Sequence, residues 1–183
     1  MLVTVSGLPG SGTTTAARLV STALHAEWVN GGAVWRAMAS ELGMDVAEFS
    51  RHAETHPQVD LELDRRLAER ARQGGCVLES RLAGWLVTRA GVPAVRVWIA
   101  CDEAVRARRV AQREAVAQEA ALAQNRAREA SERRRYRQLY EIDLDDLSIY
   151  DLVLDSGEGG PEELAAAVLD AARQRFGPDG RSW

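Results

Sequence analysis

Short apolar runs alternate with longer segments of helical periodicity along this chain. Runs rich in β-branched residues predict buried parallel strands at residues 2–5, 76–78, 95–100 and 152–154, and a weaker strand near 28–29. Between them, spaced apolar positions predict helices at residues 14–25, 33–42, 61–72, 103–137 and 161–176. Parallel neighbours need crossover connections, so the alternation predicts an α/β fold, a five-stranded parallel sheet with helices on both faces.

Composition and charge narrow the class of protein. The chain has 183 residues, 46% apolar and 27% charged, which favours a single domain over residues 1–183 with a substantial core. A net charge of −4 argues against a general binder of nucleic acid or anionic membranes, so we expect neither partner. No apolar run approaches the roughly 18 residues of a membrane span, and the start lacks a signal peptide's basic lead. With only Cys76 and Cys101, we expect reduced cysteines and a cytoplasmic location.

The basic residues are all arginine, and they are unevenly distributed. Residues 101–137 hold ten arginines against six acidic residues, a local charge of +4, which leaves −8 on the rest of the chain. A small anion would be drawn to that segment. Taken alone, the segment is also consistent with a solvated helix that carries Glu–Arg pairs.

A glycine-rich turn lies between the first predicted strand and the first predicted helix. Its sequence, Gly7-Leu8-Pro9-Gly10-Ser11-Gly12-Thr13-Thr14, has the spacing of the phosphate loop GxxxxGK[ST] except that Thr13 replaces the lysine. Backbone N–H groups of such a turn and the start of the helix cradle a di- or triphosphate. We therefore expect ATP binding here, with the Thr14 hydroxyl as a ligand of Mg²⁺. An arginine must then supply the charge of the missing lysine.

The second chemical feature is Glu79-Ser80-Arg81, at the end of the strand predicted at 76–78. This is the carboxyl edge of the sheet, where open α/β folds bind ligands. Glu79 is a candidate to hold a Mg²⁺-bound water or accept a proton, and Arg81 to bind a phosphate through two hydrogen bonds. A simple ion pair between the two at the strand end is the alternative.

Further arginines complete a candidate anion site. Arg36 follows the Gly31-Gly32 turn at the start of a predicted helix, Arg109 and Arg113 share a helix face, and Arg128 and Arg135 are seven residues apart. Behind a phosphate loop, these positions indicate a lid that folds guanidinium groups over the phosphates and excludes water.

Taken together, these motifs resemble the nucleoside monophosphate kinases, and among them most closely the archaeal-type cytidylate kinases, from Met1 to about Ala172. The motifs that carry the resemblance are the loop extended to Ser6 and Thr15, Gly32-Ala33-Val34-Trp35-Arg36, Glu48-Phe49-Ser50, Asp60 with Asp64-Arg65-Arg66, residues 78–85, Arg128-Glu129-Ala130-Ser131-Glu132 with Arg135-Tyr136, and residues 142–155.

The resemblance implies a P-loop kinase core, a monophosphate-binding helical insertion near residues 32–73 and a lid near 114–141. It implies ATP and Mg²⁺ as cofactors, a small nucleotide as substrate, and a monomer. The implied ATP contacts are Gly7, Pro9, Gly10, Ser11, Gly12, Thr13, Thr14, Thr15 and Arg109. The implied acceptor contacts are Arg36, Arg81, Asp60, Asp64 and Trp85, and the implied catalytic residues are Arg113, Arg128, Arg135 and Glu79.

The reaction expected from this resemblance is phosphorylation of CMP or dCMP by ATP. Two alternatives stay open at this point. One is a kinase for another nucleoside monophosphate or a modified pyrimidine nucleotide. The other is a nucleotide-binding protein without turnover, because Thr13 replaces the lysine of the loop.

Overall fold

A parallel sheet of five strands forms the centre of the computed structural model, which describes residues 1–157 and 159–177. The strands are β1 (Leu2–Gly7), β2 (Glu27–Asn30), β3 (Cys76–Glu79), β4 (Val95–Ala100) and β5 (Leu152–Asp155). Their order in the sheet is β2-β3-β1-β4-β5, with every neighbouring pair parallel. The predicted α/β fold is confirmed, including the weak strand near 28–29.

Eight helices connect and cover the strands in the described part of the chain. They are α1 (Thr13–Ala23), α2 (Gly31–Glu41), α3 (Val46–Thr55), α4 (Gln58–Arg72), α5 (Ala83–Arg89), α6 (Glu103–Glu114), α7 (Gln118–Tyr140) and α8 (Pro161–Phe176). Helices α1 and α8 pack with β1, β3 and β4 on one face of the sheet. On the other face, α4 and α5 cover Leu2 and Leu78.

Two sequence expectations are wrong in detail, and two helices were not predicted. The helical segment predicted at 103–137 is two helices, because Ala115 adopts the left-handed conformation and ends α6. Helices α3 and α5 were not predicted, although Asp45 and Glu48 form a capping box that is a recognisable start signal for α3. Strand β5 is not buried, since it is an edge strand and the Val153 side chain is 49% exposed. The irregular tail predicted after residue 177 lies outside the described residues.

The order of the strands determines where a ligand can bind. The connection after β1 leads past β3 to β2, whereas the connection after β3 leads to β4 on the opposite side of β1, so adjacent strands β1 and β3 send their connections in opposite directions. Open α/β sheets bind ligands in the crevice that forms at such a point. The turn after Gly7 and the side chain of Glu79 both lie at this edge, because Val5 and Glu79 are paired in the β1–β3 register. No helix of the described residues is long and apolar enough to cross a membrane.

The segment between β2 and β3 has a small apolar core of its own. Met38, Phe49 and Val59, one from each of α2, α3 and α4, form its centre. Leu63 packs against both this cluster and the core beneath the sheet, so the two cores are continuous. This continuity favours one cooperative domain over a separately folding insertion.

We expect Phe49→Ala to destabilise the whole protein. The Phe49 side chain is 1% exposed and packs edge-on against Trp35 with ring centroids 4.5 Å apart. Removing a buried phenyl ring costs about 3–5 kcal/mol in the free energy of unfolding. Urea unfolding followed by circular dichroism measures this as one earlier transition. Val46→Ala on the same helix, at a side chain 45% exposed, is the matched control and is expected to change stability by less than about 0.5 kcal/mol. A separate early transition in Phe49→Ala would contradict the single domain.

Candidate active site

The turn after β1 has the backbone of a phosphate cradle. Gly10 and Gly12 have φ values of 83° and 88°, in the left-handed region that favours glycine. At Gly10 a Cβ atom would lie 2.6 Å from the Arg106 carbonyl oxygen, so a side chain there would collide with backbone. The turn leads into α1, whose N-terminal N–H groups have no side-chain cap. The Ser11 Oγ atom is buried without a hydrogen-bond partner in the described residues. These features fit a bound polyphosphate.

Glu79 is the centre of the hydrogen bonds beside this loop. Its Oε1 atom accepts from the hydroxyls of Thr13 at 2.9 Å and Thr14 at 2.7 Å. Its Oε2 atom accepts from Trp28 Nε1 at 3.0 Å and Asn30 Nδ2 at 2.6 Å. The carboxylate therefore joins the phosphate loop to β2 and β3 through four neutral donors.

The residues at the loop also fit a magnesium ion. Mg²⁺ prefers hard oxygen ligands and keeps several of its waters. The Thr14 hydroxyl and the Glu79 carboxylate provide such oxygens side by side, directly after the cradle. Thr13 points its hydroxyl at the same carboxylate oxygen, where a lysine would place a cation.

Arg81 is paired with Glu132 on α7 and not with Glu79. Its Nε donates to Glu132 Oε2 at 2.6 Å, and Arg128 Nε donates to Glu132 Oε1 at 2.8 Å. Burial opposes ionisation of Glu132, but the two guanidinium groups lower its pKa to about 2. The strand-end pair between Glu79 and Arg81 is therefore wrong, and one carboxylate brings two predicted phosphate ligands together.

Arg135 lies between α7 and α4. Its Nε donates to Asp60 Oδ2 at 2.7 Å, and its Nη1 donates to the Ser131 hydroxyl. Burial raises the pKa of Asp60 even though Arg135 opposes the shift. One turn further along α4, Tyr140 donates to Asp64 Oδ2 at 2.6 Å. Burial raises the pKa of Asp64 to about 7.

The remaining predicted site residues lie in different surroundings. Arg109 lies beside the loop, where it donates to the hydroxyl and carbonyl of Ser156 at 2.8 and 2.7 Å. Arg36 is exposed and has no ion pair within the described residues. Arg113 is 64% exposed and pairs with the adjacent Glu114, so the structure does not bring it to the loop. Trp85 packs in the cluster around Leu82, and its Nε1 is buried without a partner there.

Several residues that hold the site together were not singled out from the sequence. Trp28 and Asn30 orient Glu79. Arg106 donates to the Pro9 carbonyl and is ion-paired with Glu129, which ties α7 to the loop. Glu132 belongs to a motif already recognised, and its place between Arg128 and Arg135 was the available signal. Asn30 is a polar residue at the end of an apolar strand, which is a weaker signal.

The strand order and the glycine-rich loop after β1 define a P-loop kinase fold, and the loop has the backbone of a site for nucleotide phosphates. Residues 2–158 match the model of the cytidylate kinase-like family. The cytidylate kinase of Methanocaldococcus jannaschii is 46% identical over 172 residues, covering 93% of this chain and 97% of the relative. That of Pyrococcus horikoshii is 42% identical over 180 residues, covering 98% and 92%. The solved shikimate kinase of Aquifex aeolicus has the same fold, with a TM-score of 0.60 at 17% identity, covering 97% of this chain and 99% of that one. This chain belongs to the cytidylate kinase-like family.

We expect the buried carboxyl of Asp64 to make native stability fall as pH rises. Below the unfolded-state pKa of 3.8 the group is protonated in both states, whereas between 3.8 and about 7 only the unfolded chain releases the proton. Asp64→Asn keeps an acceptor for Tyr140 and carries no charge. Its advantage in free energy of unfolding over the unsubstituted protein is expected to grow by about 1–3 kcal/mol between pH 5 and 8, measured by urea unfolding. The exposed Glu69→Gln on the same helix is the control. A difference that stays constant with pH would refute this expectation.

Proposed function

We propose that this protein is a Mg²⁺-dependent cytidylate kinase, which transfers the terminal phosphoryl group of ATP to CMP or dCMP. The observation that carries the proposal is the meeting of the loop, Glu79 and Arg81 at one sheet edge, in a chain that matches proteins named cytidylate kinase over most of its length. Phosphoryl transfer between two phosphate groups asks little covalent chemistry of the protein. Alignment of the two substrates and neutralisation of charge then account for catalysis.

On the donor side, the loop residues hold the ATP phosphates through backbone N–H groups. When bound, Mg²⁺ supplies charge neutralisation and orients the donor phosphates. Thr14 and Glu79 would hold this ion, Glu79 through a metal-bound water, while Arg109 lies beside Gly12 for contact with the nucleotide. Because four donors already occupy the Glu79 carboxylate, its role is to hold and orient, and we favour that over acceptance of a proton.

On the acceptor side, Arg36 and Arg81 would bind the monophosphate. Arg36 has no carboxylate partner to displace in the described residues, and Arg81 uses only its Nε for Glu132. Its two terminal nitrogens make no hydrogen bond within the described residues and can bind phosphate oxygens. Asp60 and Asp64 on α4 and Trp85 on α5 would contact the nucleoside.

Helix α7, the proposed lid, supplies the positive charge that the loop lacks without its lysine. Arg128 and Arg135 both project from α7, and Arg128 is the more exposed of the two. We assign Arg128 to the transferring group as it stands. Arg135 reaches a phosphate only if it exchanges Asp60 for that ligand, which a movement of α7 would allow. Arg113 takes part only if lid closure carries it inward from the surface.

Two further features of the proposal concern the protein as a whole. The site calls for a small nucleotide as its partner, and we propose a monomer in the cytoplasm. The alternative of a nucleotide-binding protein without turnover gains no support from the site, because Arg36, Arg81, Arg109 and Arg128 are present together with Glu79 and Thr14. A panel of nucleoside monophosphates decides between CMP and another acceptor.

A panel of acceptors tests the proposed function. With Mg²⁺ and ATP, we expect ADP release with CMP and dCMP at kcat/KM values at least about tenfold above those with UMP, AMP and GMP, a difference of about 1.4 kcal/mol in transition-state binding. Coupled ADP-release kinetics measure it. Glu79→Gln is the inactive control, because an amide cannot accept from all four donors. Preference for another monophosphate would move the assignment to that substrate, and ATP binding without turnover on any acceptor would favour the silent protein.

We expect Thr13→Lys to leave kcat unchanged or lower it. The Thr13 hydroxyl lies 2.9 Å from Glu79 Oε1, so a lysine there would pair with this carboxylate and draw it from Thr14. Like charges brought close to the lid arginines would add repulsion. Steady-state kinetics at saturating CMP and Mg²⁺-ATP measure the effect, with Thr13→Ala as the neutral control. An increase of more than about a hundredfold would mean that the native site lacks an essential cation.

A further inference from the structure

Asn30 uses both ends of its side-chain amide at the point where β2 becomes α2. Its Nδ2 donates to Glu79 Oε2 at 2.6 Å, from the strand position directly opposite Glu79 in the β2–β3 register. Its Oδ1 accepts from the backbone N–H of Ala33 at 2.7 Å and so caps the start of α2. One planar group therefore joins the carboxylate beside the phosphate loop to the first helix of the insertion.

The start of α2 is packed closely enough for this contact to matter. A Cβ atom at Gly31 would lie 2.7 Å from Ser80 Cβ and 3.1 Å from the Glu79 carbonyl oxygen, so the helix begins against the end of β3. At Gly32 a Cβ atom would lie 3.1 Å from Asn30 Oδ1 and 3.4 Å from Arg36 Nη1. The Arg36 guanidinium thus folds back over the same turn that Asn30 caps.

We infer that Asn30 is a positioning residue that sets the distance between the donor side and the acceptor side of the site. The Nδ2 atom of Asn30 holds Glu79 against the loop threonines. Its Oδ1 atom holds the start of α2, the helix from which Arg36 reaches the phosphate of CMP. The inference rests on the proposed function, because it gives Arg36 and Glu79 the roles assigned there. Because both ends of its amide are bonded within the chain, we assign Asn30 no direct contact with substrate. Misplacement of reacting groups by about 1 Å can lower the rate about a hundredfold, so a fixed spacing between Glu79 and Arg36 affects the rate of transfer.

The two ends of the amide can be tested separately, because nearby side chains provide matched controls. Asn30→Ser keeps a hydroxyl that caps a helix well but is too short to reach Glu79. Trp28→Phe removes the other donor to Glu79 Oε2, at 3.0 Å, and keeps Asn30 as the cap of α2. Asn30→Ala removes both contacts. Arg36→Ala gives the scale for loss of the acceptor ligand.

The experiment measures CMP binding by calorimetry without ATP or Mg²⁺, and then kcat as a function of Mg²⁺ concentration. We expect Asn30→Ser and Trp28→Phe to bind CMP within about twofold of the unsubstituted protein, with kcat about tenfold lower and a higher Mg²⁺ requirement. Asn30→Ala is expected to share that loss and to weaken CMP binding about three- to tenfold, part of the effect of Arg36→Ala. If Asn30→Ala does not fold by circular dichroism, Asn30→Gln replaces it, since its longer amide cannot make both contacts.

The possible outcomes separate the inference from the function it rests on. Equal CMP affinity in Asn30→Ser and Asn30→Ala would overturn the link to α2. An unchanged Mg²⁺ requirement in both Asn30→Ser and Trp28→Phe would overturn the link to Glu79. If the unsubstituted protein phosphorylates CMP, either result overturns the role of Asn30 and leaves the proposed function in place. An unsubstituted protein that neither binds nor phosphorylates CMP removes the proposed function and the inference with it.

Discussion

The Glu79 carboxylate is the constraint on which the rest of the site depends. It is 7% exposed, and its position is set by donors from two separate places in the sequence: the threonines where the loop becomes α1, and β2. A buried charge with fewer donors would be costly, because hydrogen bonds must replace its lost hydration. The neutral character of all four donors also explains how the loop can do without a lysine. The carboxylate does not need a cation beside it, and in the proposed function the positive charge for the phosphates is assigned to arginines on other elements.

Helix α7 is held to the rest of the protein mainly by polar and charged contacts, unlike the helices that pack on the sheet through apolar side chains. Most of its buried side chains are polar or charged, among them Asn125, Glu129, Glu132 and Arg135. It is joined by ion pairs or hydrogen bonds to Arg106 beside the loop, to Arg81 after β3 and to Asp60 and Asp64 on α4. Buried ion pairs add little net stability, because desolvation offsets most of their attraction. The helix is thus held in a specific place by contacts that can be exchanged for phosphate oxygens, which suits a lid.

Local patterns in the sequence predicted the fold and the phosphate loop, but they did not predict contacts between residues that are distant in the sequence. The loop was recognisable because its glycines, Thr14 and the flanking strand and helix are contiguous, and strand β2 was found in spite of its short length. The partners of Arg81 and Arg135 are 51 and 75 residues away, and nothing in the spacing pairs them with Glu132 and Asp60. The arginine-rich segment was interpreted from the sequence as a cationic attraction for anions, with Glu–Arg pairs as the alternative, and the structure does pair Arg106, Arg126 and Arg128 with carboxylates of that segment. The break at Ala115 was missed because alanine carries no signal for a left-handed residue.

The polar character of the α7 interface has a thermodynamic consequence for how its movements can be observed. The heat capacity of unfolding grows with the apolar surface that a transition exposes, and the sensitivity to urea grows with the total surface that it exposes. Movement of α7 away from Arg81 and Asp60 would expose mainly charged and amide groups, so it would carry a small heat-capacity change and a shallow urea dependence. Calorimetry and urea titration would then report the sheet and its apolar core. The opening of α7 would instead appear in hydrogen exchange, at amides that exchange at urea concentrations far below the main transition.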